Sequence, residues 1–259
     1  MTFIQTVLLA AFAGATIFLG LPVGRLRNLS KRAQVMLTTA AAGVILFLIW
    51  DILSQAVEPV EAALVDARSG GSVETFASYA FVLGATLAVG LLSIVLLTKR
   101  LRPAPEAPFD PRHIALGTAI GLGLHNLSEG LAIGSSAASG ATQLALILVI
   151  GFALHNATEG FGIAAPLTVG ERPSWRFLAL TGIVGGGPTF VGSVLGYTLT
   201  SPILSVAFLG LAAGALIYVF NEMIAVARRA SEPTWSNVAL LIGLLVAFAT
   251  DFVLVAAGA

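Results

Sequence analysis

The chain contains no cysteine. Disulfides and thiolate metal sites are therefore excluded, and imidazole, carboxylate, amide and hydroxyl groups remain as the side-chain ligands available to an ion. Charge is also scarce. Asp, Glu, Lys and Arg make up 10% of the residues and balance to a formal net charge of zero, so nothing points to nucleic acid. The opening Met1-Thr2-Phe3-Ile4 lacks the basic segment of a cleaved signal peptide and reads as the start of a retained span. Neither a His-Glu-x-x-His zinc-enzyme motif nor a Gly-x-Ser-x-Gly nucleophile motif occurs.

What is present is apolar. At 57% hydrophobic residues and a mean hydropathy of +0.96, the few polar side chains cannot cover a water-exposed surface, and a lipid bilayer is the expected solvent. Windows of about 18 to 25 residues, long enough to cross a hydrocarbon core of about 30 Å as helix, lie at 2–21, 33–53, 76–98, 113–136, 142–166, 177–198, 203–226 and 237–257. The expected architecture is all-α, a polytopic bundle of eight transmembrane helices forming one transmembrane domain over 1–259.

Basic residues orient the bundle. If the first loop is cytoplasmic, the inside loops collect Arg25, Arg27, Lys31, Arg32, Lys99, Arg100, Arg102, Arg112, Arg172, Arg176, Arg228 and Arg229, and only Arg68 falls outside. Both termini are then outside. The external second loop holds Glu58, Glu61, Asp66 and Glu74, and either gathers cations by long-range attraction or is an ordinary solvated loop.

One phrase is written twice within 113–166: His125-Asn126-Leu127-Ser128-Glu129-Gly130 and, thirty positions on, His155-Asn156-Ala157-Thr158-Glu159-Gly160. On a helix, positions i and i+4 share a face, so His125 lies over Glu129 and His155 over Glu159, with each Asn about 100° round. At 1.5 Å per residue the copies sit about 21 and 22 Å from opposite ends of their antiparallel spans, just past mid-membrane. Consecutive antiparallel copies are related by an approximate two-fold axis in the membrane plane, an inverted repeat, and can share one cavity. An ionised carboxylate at that depth costs at least about 2.5 to 3.5 kcal/mol, so Glu129 and Glu159 need partners. The alternatives are internally satisfied hydrogen bonds or a proton relay. Mixed nitrogen and oxygen donors suit divalent transition metals, and the lack of sulfur argues against Cu(I).

Paired His-Asn-x-x-Glu-Gly motifs on adjacent spans of an eight-span protein resemble the ZIP (ZRT/IRT-like) family of divalent metal transporters, nearest its prokaryotic GufA-like branch, over essentially the whole chain. The resemblance implies cation uptake toward the cytoplasm through His125, Asn126 and Glu129 of the fourth span and His155, Asn156 and Glu159 of the fifth. Two departures stand out. Ser128 and Thr158 replace the Pro common before the motif Glu, and their hydroxyls either bond the preceding helical turn or line the cavity. In the sixth span, Gly185-Gly186-Gly187-Pro188 puts Gly187 where relatives often carry Glu, which removes a carboxylate from any second metal position.

Other readings are local. The glycine triplet before Pro188 makes continuous helix expensive and is expected to kink or unwind the sixth span, unless it serves close packing. Gly117 to Gly121 and Gly210 to Gly214 read as helix-packing patterns. Asp51 is placed at the external end of the second span as a possible receiving group. Glu222 reads as an exit ligand or as a salt-bridge partner of a nearby Arg. Asp251 has no assignable partner, and His113 is a surface histidine. The expected function is transport of Zn-, Fe-, Mn- or Cd-type ions as substrate, with no cofactor and no enzymatic activity, in a cell (inner or plasma) membrane. An intramembrane metal-dependent hydrolase and a proton-conducting relay are the competing readings. Expected partners are the metal ion and the bilayer, with a homodimer left open.

Overall fold

The computed structural model describes residues 1–101, 110–199, 201–229 and 232–256, and its described residues are helical with no strand. Eight α-helices follow in order: α1 (Phe3–Ala15), α2 (Lys31–Arg68), α3 (Val73–Leu101), α4 (Pro111–Ala138), α5 (Thr142–Ala164), α6 (Trp175–Thr198), α7 (Pro202–Arg229) and α8 (Pro233–Ala256). Arg102 and the rest of the proline-rich linker lie outside the described residues, as do the side chains of Lys99, Arg100 and Arg229.

The starts of α1, α2, α4 and α6 are set by side chains that accept the free amides of a first turn: Ser30 from Ala33, Ser174 from Phe177, Asp110 from Arg112, and Thr2 in a reciprocal capping box with Gln5. Gly70 and Gly140, at φ 100° and 82°, turn the chain after α2 and α4.

Seven helical segments are long and apolar enough to cross a membrane on their own. The exception by composition is α4, which at 28 residues is long enough but carries His125, Asn126, Ser128 and Glu129. Its position explains the tolerance. No large apolar side chain of α4 is exposed, whereas Phe12, Phe81, Leu92, Ile150, Ile183 and Phe252 of other helices face outward. Neighbouring helices thus shield α4 from lipid.

Three local expectations are corrected. The first span is α-helical only to Ala15 and continues as two 3-10 turns, Thr16–Leu19 and Leu21–Arg25. α2 runs 38 residues, roughly 57 Å, so Glu58, Glu61, Asp66 and Arg68 are helical rather than in a loop, and Asp51 lies inside the helix rather than at its end. α6 passes through Pro188 without interruption.

The glycines of α6 serve packing instead. Gly186 meets the Gly14 carbonyl of α1 and Gly14 meets the Gly186 carbonyl, while Gly192 and Gly196 receive the Leu127 and Leu131 carbonyls of α4. Glycine-to-carbonyl contacts of this kind sort the described helices into three groups: α1 with its 3-10 turns, α4, α5 and α6; α2 with α8, through Gly43 and Gly243; and α3 with α7, through Gly90 and Gly214. The first group meets the other two along a seam. Across the seam the contact changes character: Gly121 of α4 faces the Leu216 and Ala215 side chains of α7, and Gly162 of α5 faces Ile45 of α2.

Basic loops gather at one end of the bundle. The Arg25 guanidinium donates to the Pro173 carbonyl and lies over Trp175, Arg112 pairs with Glu171 at 3.6 Å, and Arg32 pairs with Glu232 at 3.2 Å beside Trp235. At the other end the amino group of Met1 donates to Thr142 Oγ1 at the start of α5. This is the alternation expected of eight consecutive crossings.

Candidate metal centre

Both motif copies turn inward and meet. His125, Asn126 and Glu129 of α4 and His155, Asn156 and Glu159 of α5 are all buried, the two Asn side chains and Glu159 completely. One ligand atom each from His125, Glu129 and His155 can be drawn so that all three lie within 4.8 Å of one another. Glu159 Oε1 stands 3.9 Å from His125 Nε2 and 3.8 Å from His155 Nε2, and Glu129 Oε1 is 3.4 Å from His125 Nε2. The imidazole centroids are 6.0 Å apart.

These are not closed hydrogen-bond pairs. Both His125 nitrogens, His155 Nε2, Glu129 Oε2, Glu159 Oε1, Asn126 Oδ1 and Asn156 Oδ1 are buried without a hydrogen-bond partner. So many buried donors and acceptors gathered in one place call for water or an ion between them.

The two copies are braced identically. Asn126 Nδ2 donates to the Gly185 carbonyl of α6 at 3.0 Å, and Asn156 Nδ2 donates to the Ala13 carbonyl of α1 at 3.1 Å. Four residues on, Gly130 packs on the Thr189 carbonyl and Gly160 on the Ile17 carbonyl, one turn past Gly185 and Ala13 respectively. Gly14 and Gly186, the next residues after those two acceptors, touch each other. The pseudo-two-fold therefore relates α4 with α6 to α5 with α1. It also explains the motif: His and Glu face the site, Asn fixes the helix to its neighbour, and Gly lets that neighbour's backbone in. The symmetry breaks at Asn126, which also donates to Glu159 Oε2 at 2.8 Å and so orients that carboxylate.

Around this cluster, Phe47 of α2 is fully buried with its ring centroid 6.2 Å from that of His155, and packs on Phe248 of α8. Thr158 donates to its own helix, to the His155 carbonyl at 2.7 Å, whereas the Ser128 hydroxyl is buried and unpartnered. Asp51 is half-buried, accepts from Gln55 at 2.8 Å and lies within electrostatic reach of His125 and of Asp251, the neighbour that sequence left unassigned. Glu222 is half-buried six residues before Arg228, about 9 Å along the basic end of α7. His113 contacts Asp110 at 3.2 Å at the start of α4, away from the motif. At Gly187 a side chain would meet only Ile183 Cγ2 of its own helix at 3.8 Å, so this position does not face the cluster.

The profile of the ZIP zinc transporter family matches residues 106–254, more than half of the chain. The chain belongs to the ZIP family. No curated protein matches it. In this ZIP protein the matched stretch holds both motif copies, the α6 brace and α7, while Ala13, Phe47 and Asp51 precede it. ZIP membership makes the protein a multi-pass membrane transporter with a divalent metal ion as substrate.

Sequence reasoning missed the braces. Ala13 and Gly185 act through backbone carbonyls, which carry no side-chain signature. Their available signal was the Gly following each of them, read in α6 as either a point of unwinding or a close-packing surface.

Proposed function

We propose that the chain forms one transmembrane domain that carries Zn-, Fe-, Mn- or Cd-type ions toward the cytoplasm through a site made by His125, Glu129, His155 and Glu159. Asn126 and Asn156 brace the ligands and offer Oδ1 to the shell. The observation that supports this reading is the convergence of twin motifs whose ligand atoms are buried and unpartnered. Two carboxylates and one divalent cation sum to zero charge, which removes much of the cost of holding either carboxylate in the membrane interior. The Gly185 carbonyl of α6 accepts from Asn126 Nδ2 and serves the brace rather than the ion, and the reading needs a single ion.

Orientation follows from the basic end of the bundle, taken as cytoplasmic, with both termini outside and the protein in the cell membrane. Asp51 and Ser128 lie on the outer approach, Thr158 beside the site and Glu222 on the exit. All six motif residues and their braces come from the set α1, α4, α5 and α6. We take this set to move with the ion against α2, α3, α7 and α8. The added Cβ of Gly121 lies 3.3 Å from the Ala215 Cβ, close to disulfide spacing. In the cysteine-free chain, oxidising a Gly121→Cys/Ala215→Cys pair is expected to stop uptake and reduction to restore it. Unchanged uptake with the pair locked would contradict movement along this seam.

The test of function is uptake by proteoliposomes across a panel of Zn, Fe, Mn, Cd, Mg and Ca ions, native against Glu129→Ala. Transition-metal uptake abolished by the substitution is expected. Metal-dependent cleavage of lipid or peptide without ion movement, or proton flux surviving complete chelation, would support the competing classes instead. Because imidazole and carboxylate must shed protons to bind, metal affinity is expected to weaken as pH falls from 7.5 to 5. A flat affinity over that range is incompatible with His ligation.

A further inference from the structure

α7 and α8 both pack along α2 but scarcely touch each other. Between them, at the basic end of the bundle, lies a groove of about 420 Å³ whose α2 side is Thr39. Its α7 wall runs from Arg228 inward to Ala227 and Ile224, and its α8 wall from Pro233 and Asn237 inward to Leu240. None of these residues belongs to α1, α4, α5 or α6, so the groove is separate from the metal centre.

The groove is cationic at its mouth and apolar below. Arg228 is exposed and enters no ion pair among the described residues, while Glu232 at the mouth is already paired with Arg32 at 3.2 Å. Glu232 also borders a second opening, of about 510 Å³, lined by Lys31 and Arg32. Lys31, Arg32 and Arg228 against Glu232 leave two positive charges in excess around the mouth. Deeper in, Ile224, Ala227 and Leu240 present hydrocarbon. Thr39 adds little polarity there, because its hydroxyl donates to the Val35 carbonyl of its own helix at 2.9 Å.

Depth says what kind of molecule fits. Pro233 to Leu240 is seven residues, about 10 Å of helix. The polar layer on each side of a bilayer is about 5 to 8 Å thick. The groove therefore passes through the headgroup level, where exposed Trp235 carries the Arg32 guanidinium over its ring, and ends among acyl chains. A free inorganic anion would match the mouth alone, and a lipid without net charge would match the depth alone. An anionic lipid matches both.

We propose that this groove binds one anionic phospholipid of the leaflet at the basic end, with its phosphate held by Arg228 together with Lys31 and Arg32, and the first carbons of its chains along Ile224, Ala227 and Leu240. The seated lipid fills the space where α7 and α8 do not meet and ties both to α2. The proposal needs no ion movement, and neither does its test.

The full chain in a non-ionic detergent is titrated with phosphatidylglycerol, with phosphatidylcholine of the same acyl chains, and with inorganic phosphate. Bound lipid is counted by native mass spectrometry, and stability is read by thermal unfolding. One phosphatidylglycerol is expected to be retained and to raise the unfolding temperature, with phosphatidylcholine held at least about fivefold more weakly and phosphate alone without effect. The preference should shrink as salt is raised. Arg228→Gln should weaken phosphatidylglycerol about fivefold, whereas Arg176→Gln, which removes the same charge from an exposed position elsewhere at the basic end, should leave it unchanged. Asn237→Phe keeps the charge and puts a ring into the groove from an exposed position, and should displace the lipid.

Equal weakening by Arg228→Gln and Arg176→Gln would reduce the effect to diffuse attraction and overturn the proposal. Equal retention of the two lipids would overturn it as well, as would stabilisation by phosphate alone that matches phosphatidylglycerol. If Asn237→Phe splits a dimer and leaves the lipid count unchanged, the groove seats a second copy of the chain and the lipid assignment is wrong.

Discussion

Glu159→Gln is expected to lower metal uptake by at least about 100-fold, about 2.7 kcal/mol in the barrier, while leaving the protein folded. The substitution keeps volume and retains an oxygen for the Asn126 amide, so what it removes is the charge. Glu159 is the hub of the cluster: its Oε1 stands 3.9 and 3.8 Å from the two imidazoles, its Oε2 is held by Asn126 at 2.8 Å, and it is completely buried. Glu129 Oε1 is 3.4 Å from His125 Nε2, a carboxylate oxygen of Glu129 lies within 4.8 Å of a His155 nitrogen, and its Oε2 is unbraced. Glu129→Gln should therefore cost less than Glu159→Gln. Initial uptake rates in proteoliposomes, with thermal unfolding in detergent as the control, check both. A fully active Glu159→Gln would mean that the carboxylate between the imidazoles is not a ligand.

Gly160→Val should act through the fold. A Cβ there would be driven into the Ile17 carbonyl, and backbone cannot swing aside as a side-chain tip can. Overpacking usually costs about 1 to 3 kcal/mol; a clash on backbone at the crossing that seats His155 and Glu159 should reach at least about 3 kcal/mol, with metal binding lost. Gly130→Val, against the Thr189 carbonyl, should behave alike because the pseudo-two-fold makes it the equivalent position. Gly187→Ala is the control, since its Cβ meets only Ile183 Cγ2 at 3.8 Å, and it should be neutral or slightly stabilising. Thermal unfolding of the three variants in one detergent decides the point. If Gly160→Val melts with Gly187→Ala, the motif glycines are not there for close approach.

The site was more legible than its supports. Two buried His-Glu pairs at i, i+4 in apolar helices have few innocent explanations, and a repeat on consecutive antiparallel spans carries its own symmetry. α2 was cut short because charge was read as a loop signal, although helix continues beyond the hydrocarbon wherever water can solvate its side chains, as at Glu58, Glu61 and Asp66. For α6 two readings stood, unwinding and close packing, and the packing one holds. Glycine and proline penalties assume an isolated helix, whereas here the backbones of α1 and α4 fill the space that Gly186, Gly192 and Gly196 leave open. Asp251 was unreadable because its neighbour, Asp51, is 200 positions away in sequence. Asn126 and Asn156 were read from their spacing as completing the ligand shell, whereas their amide nitrogens bond backbone carbonyls, a role that spacing alone does not reveal.

The central claim, that both motif copies hold one ion, is tested most directly by X-ray absorption on the zinc-loaded protein. The account predicts a nitrogen and oxygen shell at about 2.0 to 2.1 Å with outer-shell scattering from two imidazoles, falling to one in either His125→Ala or His155→Ala. Zinc bound without imidazole scattering, or a spectrum unchanged by either substitution, would contradict it.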